Sequence, residues 1–179
     1  MNNAIRMVLV LVVVGTLSGG MLAGVYNYAS PLIEENAEKA LKEAIYKVLP
    51  EAASYNELKK DKLYEGINRK GDIIGYAFIA EGTGYQGNIK IIAAIDTKFR
   101  RLKGMEVLES SETPGLGAKI AEESFKGQFR GLYVLPEITF SRDGDNEIQA
   151  ITGATISTKS IVDILNKEIA RLRKEFGKK

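Results

Sequence analysis

Met7 to Tyr28 runs without a charged residue and is rich in Leu, Val, Gly and Ala. At ~1.5 Å per residue, about 22 residues span roughly 33 Å, enough for a hydrocarbon core of about 30 Å. The run therefore predicts a membrane-spanning helix, with Tyr26 and Tyr28 at its far interface, where aromatic rings are favoured. It is long for the apolar part of a cleaved signal peptide, the rival reading for a segment that follows Arg6. Beyond Pro31 the pattern changes to a helical period. Ile33, Ala37, Leu41, Ala44, Ile45 and Val48 share one face, Glu34, Glu38, Lys39 and Lys42 the other, and Pro50 ends the helix.

The pattern then shortens. Lys62 to Ile67 and Ile73 to Ala80 flank a polar turn at Arg69-Lys70-Gly71-Asp72, which predicts a hairpin. Ile89 to Ile95 and Leu102 to Glu109 predict a second pair, turning near Asp96-Thr97-Lys98. A helix is expected from about Gly117 to Phe125, with short strands at Glu137 to Ser141 and Glu147 to Ile151. From Ser160 to Phe176 a stripe of Ile161, Ile164, Leu165, Ile169, Leu172 and Phe176 predicts a closing helix. The sum is an α+β protein: an N-terminal transmembrane helix (1–30), a connecting amphipathic helix (31–50) and one domain (51–179) in which helices pack on an antiparallel sheet.

Composition narrows the chemistry. There is no Cys and no His, so thiolate metal sites, iron–sulfur clusters, His- or Cys-ligated haem and Ser-His-Asp or Cys-His catalysis all lack their side chains. No metal site and no catalytic residue are expected, and any electron carrier must be organic. The formal charge of +2, from 25 basic and 23 acidic residues, points to no nucleic-acid partner. Basic residues gather at Lys167, Arg171, Arg173, Lys174, Lys178 and Lys179, a pattern that suits a solvated helix face. In the apolar run, Gly15, Gly19, Gly20 and Gly24 form two overlapping Gly-xxx-Gly pairs, the spacing that lets a second membrane helix approach closely. Arg6 and the terminal amine orient the N-terminus inside and Pro31 onwards outside the cytoplasmic membrane.

Three short motifs stand out. Thr152-Gly153-Ala154-Thr155-Ile156-Ser157-Thr158 packs four hydroxyls and two very small residues ahead of the last helix. A helix start favours anions, because its free N–H groups and dipole attract them. Gly153 and Ala154 leave room for a phosphate close to the backbone. Glu112-Thr113-Pro114-Gly115-Leu116-Gly117 reads as a type II turn, with Pro114 presetting φ and Gly115 supplying the positive φ. Gly82-Thr83-Gly84-Tyr85-Gln86-Gly87 is a glycine-rich loop able to wrap a ligand. Each alone is an ordinary capped helix, turn or hairpin connection.

In this order along one small domain, the three motifs resemble the FMN-binding domain family, and within it the G subunits of Rnf electron-transport complexes. The C subunits of sodium-pumping NADH:quinone reductases are a sibling group. The resemblance implies a membrane-anchored flavoprotein subunit of an ion-translocating ferredoxin:NAD oxidoreductase, relaying electrons through covalent FMN. The FMN phosphate would be esterified to Thr155 by a separate flavin transferase. The same resemblance places Thr152, Gly153, Ala154, Ser157 and Thr158 around the phosphate, and Glu112, Thr113, Leu116 and Gly117 near the ring. Lys119, Gly84 and Tyr85 are further contact candidates. Partners would be the other membrane subunits of the complex. The family pattern has an acidic residue three positions before the motif, where this chain has Gln149. The alternatives are a C-type subunit and a membrane-anchored binding module without redox work.

Overall fold

The computed structural model describes residues 2–59, 62–140 and 146–176. Ser141, Lys178 and Lys179 of the elements expected above lie outside the described residues. The chain divides into two units, Met1–Ala40 and Leu41–Lys179.

Helix α1, Asn3–Val48, carries both the charge-free run and the amphipathic stretch without interruption, with Pro31 inside it. It is the one helix among the described residues long and apolar enough to cross a membrane, and residues 2–28 are exposed throughout. The expected apolar stripe does not bury along its whole length. Ile33 and Ala37 are exposed, Leu41 is half-buried, and Ala44, Ile45 and Val48 are buried. Only the last turns of the helix have a sheet to meet.

The second unit is built on a meander. Strands β1 (Ser54–Lys59), β2 (Leu63–Ile67), β3 (Ile73–Thr83), β4 (Asn88–Ile95) and β5 (Leu102–Ser110) pair antiparallel in chain order. Side chains alternate across the strands. Phe78, Ile89, Ile91, Ala93 and Ile95 join one core with the last helix, while Tyr64, Ala77, Ile92 and Ala94 join another with Ala44, Ile45, Val48 and Leu49. Both faces of β4 are covered, which is why it reads as a continuous apolar run from Ile91 to Ile95. Strand β1 escaped the sequence reading because it is a polar edge strand, paired on one side only and almost wholly exposed.

The helix expected over Gly117 to Phe125 is two short pieces, a 3₁₀ turn (Gly117–Ala121) and α2 (Glu123–Lys126), and a second 3₁₀ turn (Gly127–Phe129) follows them. Glu122 adopts an extended conformation at the break. The interruption redirects the chain so that Ile120, Phe125 and Phe129 all enter the core, which one straight helix of this length would not allow. Strands β6 (Thr139–Phe140) and β7 (Glu147–Ile148) are shorter than expected and pair in parallel. Helix α3 spans Thr155–Phe176 and buries Ile161, Ile164, Leu165, Ile169 and Leu172, with Phe176 packed at the margin. It begins five residues before Ser160, within the hydroxyl-rich motif.

Candidate functional site

The three motifs converge on an open cleft of about 450 Å³, lined by Tyr85, Glu112, Thr113, Leu116, Gly117, Gly153, Ala154, Thr155, Ile156 and Ser157. Each wall follows from local turn chemistry. Strand β3 runs through Gly82 and Thr83, so the expected loop contracts to the turn Gly84–Gly87, closed by the Gly84 N–H on the Gly87 carbonyl at 2.7 Å. At the second wall, Gly115 has φ 76° and the Leu116 N–H donates to the Thr113 carbonyl at 3.2 Å, the expected type II arrangement. At the third, Gly153 has φ 81° and the Ala154 N–H donates to the Ile151 carbonyl at 3.0 Å. That turn delivers the chain directly into α3.

Glu112 sits where the walls meet and is 6% exposed. Its Oε1 accepts the N–H groups of Tyr85 at 2.7 Å and Gln86 at 3.0 Å, and its Oε2 accepts the Ser157 hydroxyl at 2.5 Å. Burial is the largest single influence on this carboxyl and opposes its ionisation. The Ser157 hydroxyl and the N–H groups of Gln86, Tyr85 and Gly87 together outweigh it, holding the pKa below the ordinary carboxylate value. Gly84 and Gly117 are glycine because Glu112 fills the space beside them. A Cβ on Gly84 would lie 2.3 Å from Oε1, and one on Gly117 2.3 Å from Oε2.

The four hydroxyls of the last motif have different situations. Thr158 is buried; its Oγ1 donates to the Ala154 carbonyl at 3.0 Å and accepts the Ile151 N–H at 3.2 Å. Ser157 is buried and donates to Glu112. The protons expected to serve a phosphate from these two residues are therefore already committed. Thr152 and Thr155 are exposed, and of the two only Thr155 lines the cleft. Thr155 is the first residue of α3. The first bond of that helix runs from the Thr158 N–H to the Ala154 carbonyl at 3.0 Å. The N–H groups of Thr155, Ile156 and Ser157 thus precede the helical ladder and have no helical carbonyl one turn back.

Apolar side chains rim the opening: Tyr85 is 66% exposed, Leu116 50% and Ile156 56%. Ile156 was not singled out from sequence as a contact; its signal is an apolar side chain at an exposed position of the first helical turn. Gly84, Lys119, Thr152 and Thr158 do not line the cleft. Gly84 and Thr158 support it from behind, through Glu112 and the Ile151–Ala154 turn. Gln149 is exposed, and its backbone is held by the Gln128 amide, which accepts the Gln149 N–H at 2.7 Å and donates to the Gln149 carbonyl at 3.3 Å.

Residues 84–170, the stretch that contains all three walls, match the FMN-binding domain family. The G subunit of the ion-translocating oxidoreductase complex of Methanosarcina acetivorans is 30% identical over 182 residues, covering 96% of each chain. The chain belongs to this G-subunit family. The G subunit of the proton-translocating ferredoxin:NAD(+) oxidoreductase complex of Clostridium ljungdahlii, another member, is 28% identical over 165 residues, covering 91% of this chain and 88% of that one. The fold extends further. The C subunit of the Na(+)-translocating NADH-quinone reductase of Parabacteroides distasonis superposes with a TM-score of 0.56 at 23% identity, over 65% of this chain and 63% of that one. Membership of the FMN-binding family and an α+β fold with an antiparallel sheet packed by helices are both as the sequence led us to expect.

Proposed function

We propose that this chain carries FMN covalently on Thr155 and relays electrons within a membrane oxidoreductase complex of the Rnf type. One observation carries the reading: of the four hydroxyl-bearing residues in the motif, only Thr155 is both exposed and on the cleft, at a helix start whose N–H groups precede the helical ladder. The residues fit the group. The Thr155, Ile156 and Ser157 N–H groups suit a phosphate, Gly153 and Ala154 keep side-chain bulk away, and Tyr85, Leu116 and Ile156 offer apolar surface to a flat ring. The bound flavin would supply the redox chemistry, while the chain supplies position and electrostatics.

During maturation Thr155 Oγ1 would bond to the FMN phosphorus of FAD, breaking the pyrophosphate link. AMP leaves, and the hydroxyl proton passes to the transferase. The N-terminal helix would anchor the domain on the outer side of the cytoplasmic membrane, with Arg6 inside. The remaining subunits would supply the electron donor, the acceptor and the ion path, since the apolar span has no acidic residue to build one.

The test is intact mass of the full chain produced with a flavin transferase. Wild type should gain one FMN and give a fluorescent band on a denaturing gel. Thr155→Ala should give neither, while Thr152→Ala and Thr158→Ala keep both. A chain that stays colourless and unmodified both as wild type and as Gln149→Asp would sink the proposal, and a fluorescent Thr155→Ala would move the attachment site. Should wild type fail to load, Gln149→Asp separates failed recognition by the transferase from failure of the carrier reading.

A further inference from the structure

We propose that Glu112 is a positioning residue for the flavin site: its carboxylate pins the Gly84–Gly87 turn and the start of α3 to the Thr113–Gly117 turn, and it keeps an unneutralised negative charge in the cleft wall. The proposal rests on the flavin reading above. Its geometric part concerns this chain alone.

Glu112 reaches Tyr85 and Ser157, which lie 27 and 45 residues away in sequence. Among the described residues, no other side-chain hydrogen bond joins these three segments. A carboxylate suits the post because an ionised one only accepts, and every group facing it here donates. The donors are the backbone N–H groups of Tyr85, Gln86 and Gly87 and the Ser157 hydroxyl, all neutral, and no ion pair to Glu112 occurs among the described residues. The charge is therefore stabilised without being cancelled. Gly84 and Gly117 make room for the carboxylate in this position, because a Cβ on either would collide with one of its oxygens. Both oxygens of Glu112 are thus engaged by the protein, while the residue still lines the cleft.

The electrostatic consequence has a definite sign. Glu112 is part of the wall of the cleft of about 450 Å³, so whatever fills it lies within Coulomb range of that carboxylate. Reduction adds negative charge, and a fixed anion nearby disfavours it. Removing that anion should raise the midpoint potential.

The experiment uses the full chain in detergent, made with a flavin transferase, as wild type, Glu112→Gln and Glu112→Ala. Glutamine keeps the shape and loses the charge, and the Ser157 hydroxyl can reverse to accept from its amide. Three readouts are taken: amide hydrogen exchange, FMN incorporation by intact mass, and the flavin midpoint potential. Glu112→Ala should speed exchange selectively at residues 84–87 and 154–158 and cut the rate of FMN incorporation at least tenfold. Glu112→Gln should restore incorporation while shifting the reduced-to-oxidised ratio about tenfold towards reduced, about 30 mV upward for a two-electron couple. Wild-type exchange in Glu112→Ala, or an unchanged potential in Glu112→Gln, would overturn the proposal. If Glu112→Ala fails to fold, Ser157→Ala takes its place, with faster exchange expected at the start of α3 and no change there counting against the positioning role. A chain that never gains FMN, both as wild type and as Gln149→Asp, defeats the flavin reading, and the role with it, while the exchange data still report whether the clamp exists.

Discussion

Gly117→Ala offers the sharpest check on the packing around Glu112. An added Cβ would meet Glu112 Oε2 at 2.3 Å, Ser157 Oγ at 2.7 Å and Glu112 Cβ at 3.0 Å. Relief requires the carboxylate to swing by roughly 1 Å, which breaks its 2.5 Å bond from Ser157. A lost hydrogen bond to a charged group costs about 1.5–3 kcal/mol. Gly117 is not in the left-handed region, so alanine meets no backbone strain there and recovers roughly 0.4–1 kcal/mol of unfolded-chain entropy. The net expectation is a destabilisation of about 0.5–2.5 kcal/mol. Urea unfolding of the full chain in detergent, followed by near-ultraviolet tyrosine dichroism, would measure it. Gly127→Ala is the control, because its Cβ would meet nothing nearer than Glu123 Oε1 at 3.7 Å. In a Glu112→Ala background the Gly117→Ala penalty should largely vanish, since Oε2 is gone and Ser157 Oγ, no longer held by it, can turn away. Equal stability of Gly117→Ala and Gly127→Ala, or a penalty undiminished in the double variant, would refute the reasoning.

Three further outcomes follow from the same residues. Glu112 has a folded-state pKa below its ordinary value of 4.5, so its stabilisation is complete above that value and is lost as pH falls through the folded one. The stability gap between wild type and Glu112→Gln should accordingly be constant near neutrality and close on acidification, and a gap that widens in acid would contradict the assignment. Thr158→Val removes the acceptor of the Ile151 N–H and the donor to Ala154; it should cost about 1–3 kcal/mol in urea unfolding yet leave FMN attachment intact by mass. Changing Gly19 and Gly20 to Leu should release the chain from its membrane partners in co-purification while near-ultraviolet dichroism stays native, and undiminished recovery of the complex would rule out a Gly-xxx-Gly contact.

Much of this architecture is written in local patterns. The charge-free run, the two hairpins and the stripe from Ile161 to Phe176 depend on periodicity, and periodicity survives without knowing what packs against it. The turns at Pro114-Gly115 and before Ala154 are equally local, because Gly115 and Gly153 supply the positive φ that other residues resist. Where the reading slipped, the deciding partner was distant. Polar β1 is a strand only because β2 pairs with it. The Gly117–Phe129 segment breaks because three side chains must reach one core. Helix α3 starts at Thr155 although its first four residues are poor helix formers, because the Ile151–Ala154 turn and the Ser157 and Thr158 hydrogen bonds secure its first turn.

The sequence by itself determined that a helix start rich in hydroxyls, a type II turn and a glycine turn occur in one domain behind an apolar helix. The family resemblance singled out Thr155, but local pattern could not say which of the four hydroxyl residues are buried or what Glu112 bonds to. Those were decided by tertiary structure, because burial and hydrogen-bond pairing depend on residues 27 and 45 positions apart meeting in space. Folding commits Ser157 and Thr158 to internal bonds and sets both oxygens of Glu112 against donors from two distant segments. Of the motif's four hydroxyl residues, Thr155 alone is left both exposed and lining the cleft.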